Sequence, residues 1–325
     1  MPPASESTTP LPVRHLSDVD PQPADQKWLV ESLWFNAGVG ILGGGPKLGK
    51  TFLAAELSVA VASGCPALGH FASHNPGPVL FFGAEDSPPA LRNRFEGLLA
   101  AKDLRAADLP LYLIDVPVMR LDRGPDLERL RAALAQLRPR LLVLDPFVRV
   151  AAIDENSAAE VSAVLASLRA LQRDYHLAVL VVHHTRKSPA AHPAQALRGS
   201  SDFAAWSDSN LCLSRYGKQL TLFVEHRSAP APDPLTLSLA TEPAPHLVIA
   251  DGAHDSEPHQ DHADLLLHTQ LLDQLRCAAQ PVPTVRLRDQ LGRRKADVIH
   301  ALDQLRLHGH VRRTSSGWIV SDTGP

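Results

Sequence analysis

The sequence predicts an α/β protein with a mostly parallel central sheet, an antiparallel extension of that sheet, and a small helical domain at the C-terminal end. Three observations support this. Apolar runs of strand length alternate with stretches of helical periodicity through most of the 325 residues. Short strand-like runs follow this alternation between residues 210 and 251. From residue 263 onward the period becomes helical. Alternating strands and helices are typical of a parallel sheet covered by helices.

Length and charge limit the broad class of protein. A chain of 325 residues with a formal net charge of −3 has room for about two domains, and it has no overall field that attracts nucleic acid. The three cysteines, Cys65, Cys212 and Cys277, form no C-x-x-C pattern, which favours reduced thiols and a cytoplasmic location. No apolar run approaches the roughly 20 residues that cross a bilayer, so we expect no membrane partner.

Residues 1–26 are rich in Pro, Ser, Thr and Asp, and we expect a disordered lead. The main domain is expected over residues 27–252. It should begin with a short helix or turn whose aromatic residues either cover one side of a functional site or pack in the core. Five apolar runs then predict parallel strands, at 39–42, 77–86, 109–116, 139–146 and 176–187. Helices are predicted at 52–63, 90–101, 126–137 and 161–175, the last opened by an S-x-x-E capping box of Ser157 and Glu160.

The remaining chain is expected to contain a flexible loop, four strands and a separate domain. The loop is predicted at 188–202, and the short runs NLCLSR, LTLFVEHR, LTLSLA and HLVIAD predict antiparallel hairpins. Residues 253–262 form a polar linker in this interpretation. Residues 263–325 then predict three helices and a hairpin, the outline of a winged helix-turn-helix. Eight Lys and Arg residues against three Asp between positions 284 and 313 favour contact with DNA, although winged helices also serve as protein-interaction modules.

The segment GGPKLGKT fills the G-x-x-x-x-G-K-[ST] template of a phosphate-binding loop. Glycines let the backbone turn so that successive N–H groups face phosphate oxygens, and the following helix adds its positive end. We expect Lys50 to reach the β- and γ-phosphates and Thr51 to ligate Mg²⁺. The predicted nucleotide-binding residues are Gly44, Gly45, Pro46, Lys47, Leu48, Gly49, Lys50, Thr51 and Phe52.

Hydrolysis of a nucleotide also needs carboxylates near the metal and the attacking water. Asp145 ends a buried strand, and we expect it to hold Mg²⁺, largely through water, together with Thr51. Pro146 follows Asp145, so the catalytic carboxylate must lie elsewhere. Glu85, at the end of the neighbouring strand, is the first candidate, and Asp86 is the second. His183 and His184 end the next strand and are expected to face the γ-phosphate and report its state.

The order of the motifs GGPKLGKT, FFGAED, LLVLDP, VLVVHHTRK and LRGSSDFAAWSD resembles the RecA-fold ATPases related to the plasmid replicative helicase RepA, of the AAA_25 type, and more distantly the DnaB-type helicase core. The resemblance covers residues 28–252. It implies that Lys50 and Thr51 are Walker A residues, that Glu85 is the catalytic glutamate and that Asp145 is the Walker B residue. It assigns a sensor role to the histidine pair, and it implies that residues 198–201 face a central channel.

The resemblance also implies ATP and Mg²⁺ as cofactors and a ring of identical subunits, often a hexamer, with an arginine supplied in trans. Arg227 is the first candidate for that arginine and Arg215 the second. The leading expectation is therefore an ATPase that acts on DNA as a helicase or a replication or mobile-element factor. An ATP-switched DNA-binding regulator without motor activity is the alternative. A small-molecule P-loop kinase is a third, which the winged helix disfavours.

Overall fold

The computed structural model describes residues 13–21, 23, 26–116, 118–151, 153, 157–184, 201–216, 219–250, 258–278, 280–292, 295–307, 309–314 and 316–321. It confirms the α/β class. Most of the predicted loop at 188–202 and of the predicted lead lies outside these residues. Within the lead, Leu16–Asp18 forms an exposed 3-10 helix.

A nine-stranded sheet forms the centre of the main domain. In chain order the strands of this domain are β1 (Trp28–Val30), β2 (Trp34–Phe35), β3 (Val39–Gly44), β4 (Val79–Gly83), β5 (Leu111–Leu113), β6 (Leu141–Asp145), β7 (Ala178–His184), β8 (Ser209–Tyr216), β9 (Gln219–His226), β10 (Leu235–Ala240) and β11 (His246–Ile249). The order across the large sheet is β11-β10-β9-β8-β3-β7-β6-β4-β5. Strands β8, β3, β7, β6, β4 and β5 run parallel, and β9, β10 and β11 are antiparallel.

Helices cover both faces of the sheet, which explains why its central strands are apolar throughout. The helices of the main domain are α1 (Lys50–Ser63), α2 (Pro88–Ala101), α3 (Gly124–Leu137), α4 (Ala158–Tyr175) and α5 (Ser201–Trp206). Alternate strand residues enter two separate cores: Val143 packs in the cluster with α1 and α2, whereas Leu142 packs in the cluster with α3 and α4. Burial on both faces is the usual environment of parallel strands.

The structure corrects two expectations and adds to a third. Residues 28–35 form the small antiparallel pair β1–β2 and not a helix. Strand β8 forms the expected antiparallel hairpin with β9, and its other edge, which the sequence left unassigned, runs parallel to β3, on the side of β3 away from β7. This contact is tight, since a Cβ added at Gly40 would lie 1.7 Å from the Ser209 carbonyl oxygen. Ser157 is the N-cap residue of α4, but its side chain accepts no capping hydrogen bond.

The C-terminal residues form a unit with its own core. Its elements are α6 (Pro258–Cys277), α7 (Thr284–Leu291), α8 (Lys295–Leu307), β12 (Val311–Arg313) and β13 (Trp318–Val320). Helix α6 begins inside the expected linker, so residues 258–262 are helical. Strands β12 and β13 pair antiparallel, and Val282 forms an antiparallel bridge with Trp318. Leucines from all three helices pack around Trp318. Among the described residues, no helix has both the length and the apolar character needed to cross a membrane.

Candidate active site

The candidate site is a cavity of about 280 Å³ at the carboxyl-terminal edge of the parallel strands. The parallel register brings the ends of β4 and β6 side by side, with Gly83 opposite Asp145. It also places β6 next to β7. Polar groups that are far apart in sequence therefore meet at one edge of the sheet. The cavity is lined by Lys47, Leu48, Gly49, Lys50, Thr51, Phe52, Glu85, Arg94, Asp145, His184, Arg215, Leu220, Leu239 and Leu247.

Two glycines shape the phosphate-binding loop between β3 and α1. Gly44 has φ +149°, and a Cβ there would lie 2.5 Å from the Leu213 carbonyl oxygen. Gly49 is the N-cap of α1 and has φ +85°, a left-handed conformation that suits glycine. The chain therefore reverses directly above the N-terminus of α1. This arrangement leaves the N–H groups of the first turn available to an anion.

Lys50, the first residue of α1, turns back onto the loop. Its Nζ donates hydrogen bonds to the carbonyl oxygens of Gly44, at 3.0 Å, and Gly45, at 2.7 Å. The side chain is buried, and this burial lowers the pKa of Lys50, while the charges of Asp145 and Glu85 act in the opposite direction. The ammonium group thus already lies within the loop that is expected to hold phosphates.

Asp145 and Thr51 provide oxygen ligands at the base of the cavity. Asp145 is only 4% exposed. Burial raises the pKa of Asp145 to about 6, although a hydrogen bond from the Thr51 side chain favours the ionised form. A carboxylate beside a hydroxyl is a ligand set that fits Mg²⁺, which binds proteins through one or two carboxylates and keeps several waters. The residues that the sequence assigned to the metal therefore do lie together.

Glu85 and His184 lie next to each other in the cavity lining. Nε2 of His184 lies 3.8 Å from Oε2 of Glu85, and the Glu85 side chain is half exposed. Burial lowers the pKa of His184, and the positive charge of Lys50 lowers it further, so the imidazole is neutral near pH 7. A neutral imidazole beside a solvent-accessible carboxylate can hold that carboxylate in place without neutralising its charge.

His183 lies on the opposite face of β7, because consecutive strand residues alternate between faces. Its ring is 4.6 Å from that of Phe203 in α5 and 6.2 Å from that of Phe147. The expectation that both histidines face the γ-phosphate therefore requires correction. Among the described residues, His184 is the histidine that lines the cavity.

Asp86, the alternative catalytic carboxylate, is held outside the cavity lining by Arg94. Nη2 of Arg94 donates to Oδ2 of Asp86 at 2.7 Å. Asp86 does not cap α2 either, since Ser87 is the N-cap and accepts a hydrogen bond from Ala90 N. Of the two candidates, Glu85 is the one positioned in the cavity.

The two arginines considered for action in trans, Arg215 and Arg227, lie near opposite ends of the neighbouring strands β8 and β9. Arg215 lines the cavity of its own chain. Arg227 follows β9 at the far edge, where β9 ends opposite Ser209, the first residue of β8. Arg227 donates to the carbonyl oxygen of Ala205, and its Nη1 lies 3.6 Å from Oδ1 of Asp208. Residues 198–200 of the predicted channel segment lie outside the described residues.

The parts of the cavity lining that come from distant elements were not predicted from the sequence. Arg94 reaches the cavity from α2, with its guanidinium 4.6 Å from the centre of the Phe52 ring. The antiparallel strands add Leu220, Leu239 and Leu247, which make one end of the cavity apolar. No local motif marks these residues. Of the aromatic residues at the start of the domain, Trp34 packs in the core, whereas Trp28 and Phe35 stack on each other at 4.5 Å. None of the three lines the cavity.

Comparison with known families is consistent with this geometry. A family model described as an AAA domain, AAA_25, matches residues 5–190, more than half of the chain. The matched residues include the phosphate-binding loop, Glu85, Asp145 and His184. An AAA domain indicates nucleotide-dependent ATPase activity.

Proposed function

The chain belongs to the AAA_25 family of AAA domains, and from that premise we propose that it is a Mg²⁺-dependent ATPase of the RepA-like branch that acts on DNA. One observation carries the proposal. The Lys50 loop, the Thr51–Asp145 pair and the Glu85–His184 pair converge on one cavity, with the catalytic carboxylate on a different strand from the metal-binding aspartate.

Each residue has a distinct task in this mechanism. The loop amides and Lys50 bind the β- and γ-phosphates, so Lys50 must exchange its bonds to Gly44 and Gly45 for bonds to phosphate. Thr51 and Asp145 would hold Mg²⁺, which neutralises phosphate charge when bound. Glu85 accepts the proton of the attacking water and orients it, and His184 fixes the position of the Glu85 carboxylate.

The apolar end of the cavity suits the nucleobase. Leu247 comes within 3.8 Å of a Cβ built at Gly49, so β11 lies directly over the loop. The Phe52 ring and the Arg94 guanidinium, held by Asp86, add a flat surface nearby. Apolar and planar groups at one end and charges at the other match the two ends of ATP.

The proposed contact with DNA rests on the C-terminal unit. Three helices followed by the β12–β13 hairpin, with Val282 bridged to Trp318, support a winged-helix arrangement. Arg312 and Arg313 are exposed on β12. Among the described residues of this unit, Arg288 and Arg306 pair with Asp289 and Asp303, whereas the two β12 arginines have no carboxylate within ion-pair distance. Exposed, unpaired arginines are suited to phosphate contacts.

The proposed assembly is a ring of identical subunits, a hexamer in this proposal, in which Arg227 acts on the ATP of a neighbour. Arg227 is about half exposed, and its partner Asp208 also pairs with Arg169, at 2.6 Å. Asp208 therefore keeps a cationic partner if Arg227 turns toward an adjacent subunit. This argument supports Arg227 over Arg215, which already lines the cavity of its own chain.

ATP turnover by the full-length protein, with and without single-stranded DNA, tests the proposal. We expect DNA to stimulate turnover, and we expect the stimulation to fall steeply with salt because phosphate contacts release counterions. Solution mass measured under the same conditions should rise with ATP. Turnover that is unaffected by DNA, together with a monomeric mass in ATP, would contradict the helicase interpretation. The variant Lys50→Ala controls for contaminating ATPases and should show no turnover.

The second candidate is an ATP-switched DNA-binding regulator. The contacts of Arg227 with Ala205 and Asp208 of its own chain favour this candidate, since an arginine held by these contacts does not reach the ATP of a neighbouring subunit. This alternative predicts that ATP changes the affinity for duplex DNA while DNA leaves the hydrolysis rate unchanged. Measuring both quantities on one preparation separates the two proposals.

A further inference from the structure

Cationic side chains outnumber carboxylates in the cavity. Lys47, Lys50, Arg94 and Arg215 line it, against Glu85 and Asp145. Two of these cations are already engaged: Lys50 bonds to carbonyl oxygens of the loop, and Arg94 pairs with Asp86. Within the described part of the chain, neither Lys47 nor Arg215 has a carboxylate at ion-pair distance. These two side chains are therefore available to an anionic ligand.

Lys47 occupies the middle of the phosphate-binding loop in an unfavourable backbone conformation. Its φ is +60°, and the side chain is exposed. This left-handed region is costly for a residue with a Cβ, and glycine or asparagine would adopt it more easily. Backbone strain of this kind concentrates at functional sites, where a particular side chain is needed. The loop therefore keeps a lysine at a position where its backbone favours glycine.

The position of Lys47 suits contact with the triphosphate. Lys50 reaches the loop from the N-terminus of α1, and Glu85 stands on the other wall of the cavity. Lys47 lies between Gly45 and Gly49, whose amides belong to the phosphate-binding turn. Arg215, in contrast, lies on β8, outside the loop, where it is paired in register with Leu220. Of the two cations without a carboxylate partner, Lys47 is the one that belongs to the phosphate-binding loop.

Phosphoryl transfer to water spreads negative charge over the γ-phosphate and its leaving oxygen, and a cation placed there stabilises the transition state. We propose that Lys47 supplies this charge from within the chain, by contact of its ammonium group with the β- and γ-phosphate oxygens. This rests on the proposed ATPase activity. The water oxygen bonds to the γ-phosphorus, the bond from that phosphorus to the β,γ-bridging oxygen breaks, and the proton of water passes to Glu85. Lys47 keeps its proton throughout.

The test compares Lys47→Ala, Lys47→Arg and Lys47→Gly in the full-length protein. Lys47→Ala should lower kcat by about 10²-fold, the loss typical of one transition-state donor, with affinity for ATP within about threefold of wild type. Affinity for ADP–aluminium fluoride should fall by a factor similar to the loss in kcat, while affinity for ADP alone, like that for ATP, stays within about threefold of wild type. Lys47→Arg should recover most of the rate. Lys47→Gly should match alanine in kcat but melt at a higher temperature, since it relieves the backbone.

Lys27→Ala is the matched control, since it removes a lysine charge outside the cavity, where Lys27 lies 5.4 Å from the Trp28 ring. It should keep wild-type kcat. A Lys47→Ala rate within about twofold of wild type overturns the inference, as does an equal loss of affinity for ADP, ATP and the fluoride complex, because that pattern reports loop folding only. Wild-type protein that binds ATP and never hydrolyses it overturns the proposed function, and the role of Lys47 with it.

Discussion

Nε2 of His184 lies 3.8 Å from Oε2 of Glu85, although the two residues belong to strands that are not neighbours. Glu85 follows β4 and His184 ends β7, and β6, which ends at Asp145, lies between them. The pair therefore spans the end of the strand that carries Asp145, the aspartate proposed to bind Mg²⁺. This contact sets the position of the proposed catalytic carboxylate relative to Asp145.

Replacing His184 should affect the rate and not the binding of ATP. We expect His184→Ala to lower kcat by about tenfold, within the range for a group that acts on a general base, and to leave the Kd for ATP unchanged. His184→Gln, which can still donate a hydrogen bond to Glu85, should recover part of the rate. Steady-state kinetics with a separate nucleotide-binding assay would check this. Equal losses for alanine and glutamine would show that Glu85 needs no support from this side chain.

The pH profile gives a second signature of the same residues. Burial lowers the pKa of His184 below its ordinary value and raises the pKa of Asp145 to about 6, so both groups take up protons on the acid side of neutrality. Protonation of Asp145 weakens Mg²⁺ binding, and a protonated His184 pairs with Glu85. Turnover of the wild type should therefore fall steeply below pH 6. His184→Gln removes one of the two groups that take up a proton, so the acid limb of its pH–rate profile should be shallower than that of the wild type. An acid limb of unchanged slope would contradict this account.

Asp145→Asn should stabilise the protein at neutral pH. Burial raises the pKa of Asp145 from 3.8 to about 6, so the folded state binds the proton more tightly than the unfolded state. The stability linked to this proton is present below pH 3.8 and is lost as the pH rises through 6. At pH 8 the asparagine should therefore raise the free energy of unfolding by about 1–3 kcal/mol, and at pH 4 by much less.

Urea unfolding at the two pH values measures the effect of Asp145→Asn, and Asp174→Asn, at an exposed ion pair with Arg131, is the control. Asp145→Asn should also lose the rise in melting temperature that Mg²⁺ and ATP give the wild type. If Asp145→Asn changes the free energy of unfolding by the same amount at pH 8 and at pH 4, burial of the Asp145 charge does not destabilise the protein.

Gly40→Ala tests the packing of β8 on β3. A Cβ at Gly40 would lie 1.7 Å from the Ser209 carbonyl oxygen and 3.0 Å from the Trp34 ring, so backbone must move. We expect a loss of about 3 kcal/mol or more, measured by urea unfolding. Gly124→Ala is the matched control, because nothing lies within 4 Å of a Cβ there and alanine favours the helix. Equal effects at the two positions would exclude the close β3–β8 contact.

Much of the site could be predicted from the sequence because its parts are local. A glycine-rich loop between a strand and a helix specifies its own geometry, so Lys50 and Thr51 lie where the template predicts. Asp145 and Glu85 each follow an apolar run, and the carboxyl ends of parallel strands necessarily meet at one edge. The three C-terminal helices followed from helical periodicity in the same way.

The rest depends on information that no local segment carries. The direction of β8 is set by its pairing with β3, some 170 residues earlier, and not by its own pattern. The two histidines are indistinguishable by residue type, and the phase of β7 alone assigns His184 to the cavity. Arg94 reaches the site through the packing of α2, and its contacts with Asp86 and Phe52 leave no motif.

The central claim is that Glu85 activates the water that attacks ATP. Single-turnover hydrolysis by Glu85→Gln, with protein in excess over ATP and saturating Mg²⁺, tests it most directly. Glu96→Gln, an exposed residue paired with Arg92, is the control and should behave as wild type. We predict that Glu85→Gln binds ATP within about threefold of wild type and hydrolyses it about 10²- to 10³-fold more slowly. Hydrolysis at the wild-type rate would remove Glu85 from the mechanism and contradict the assignment of this site.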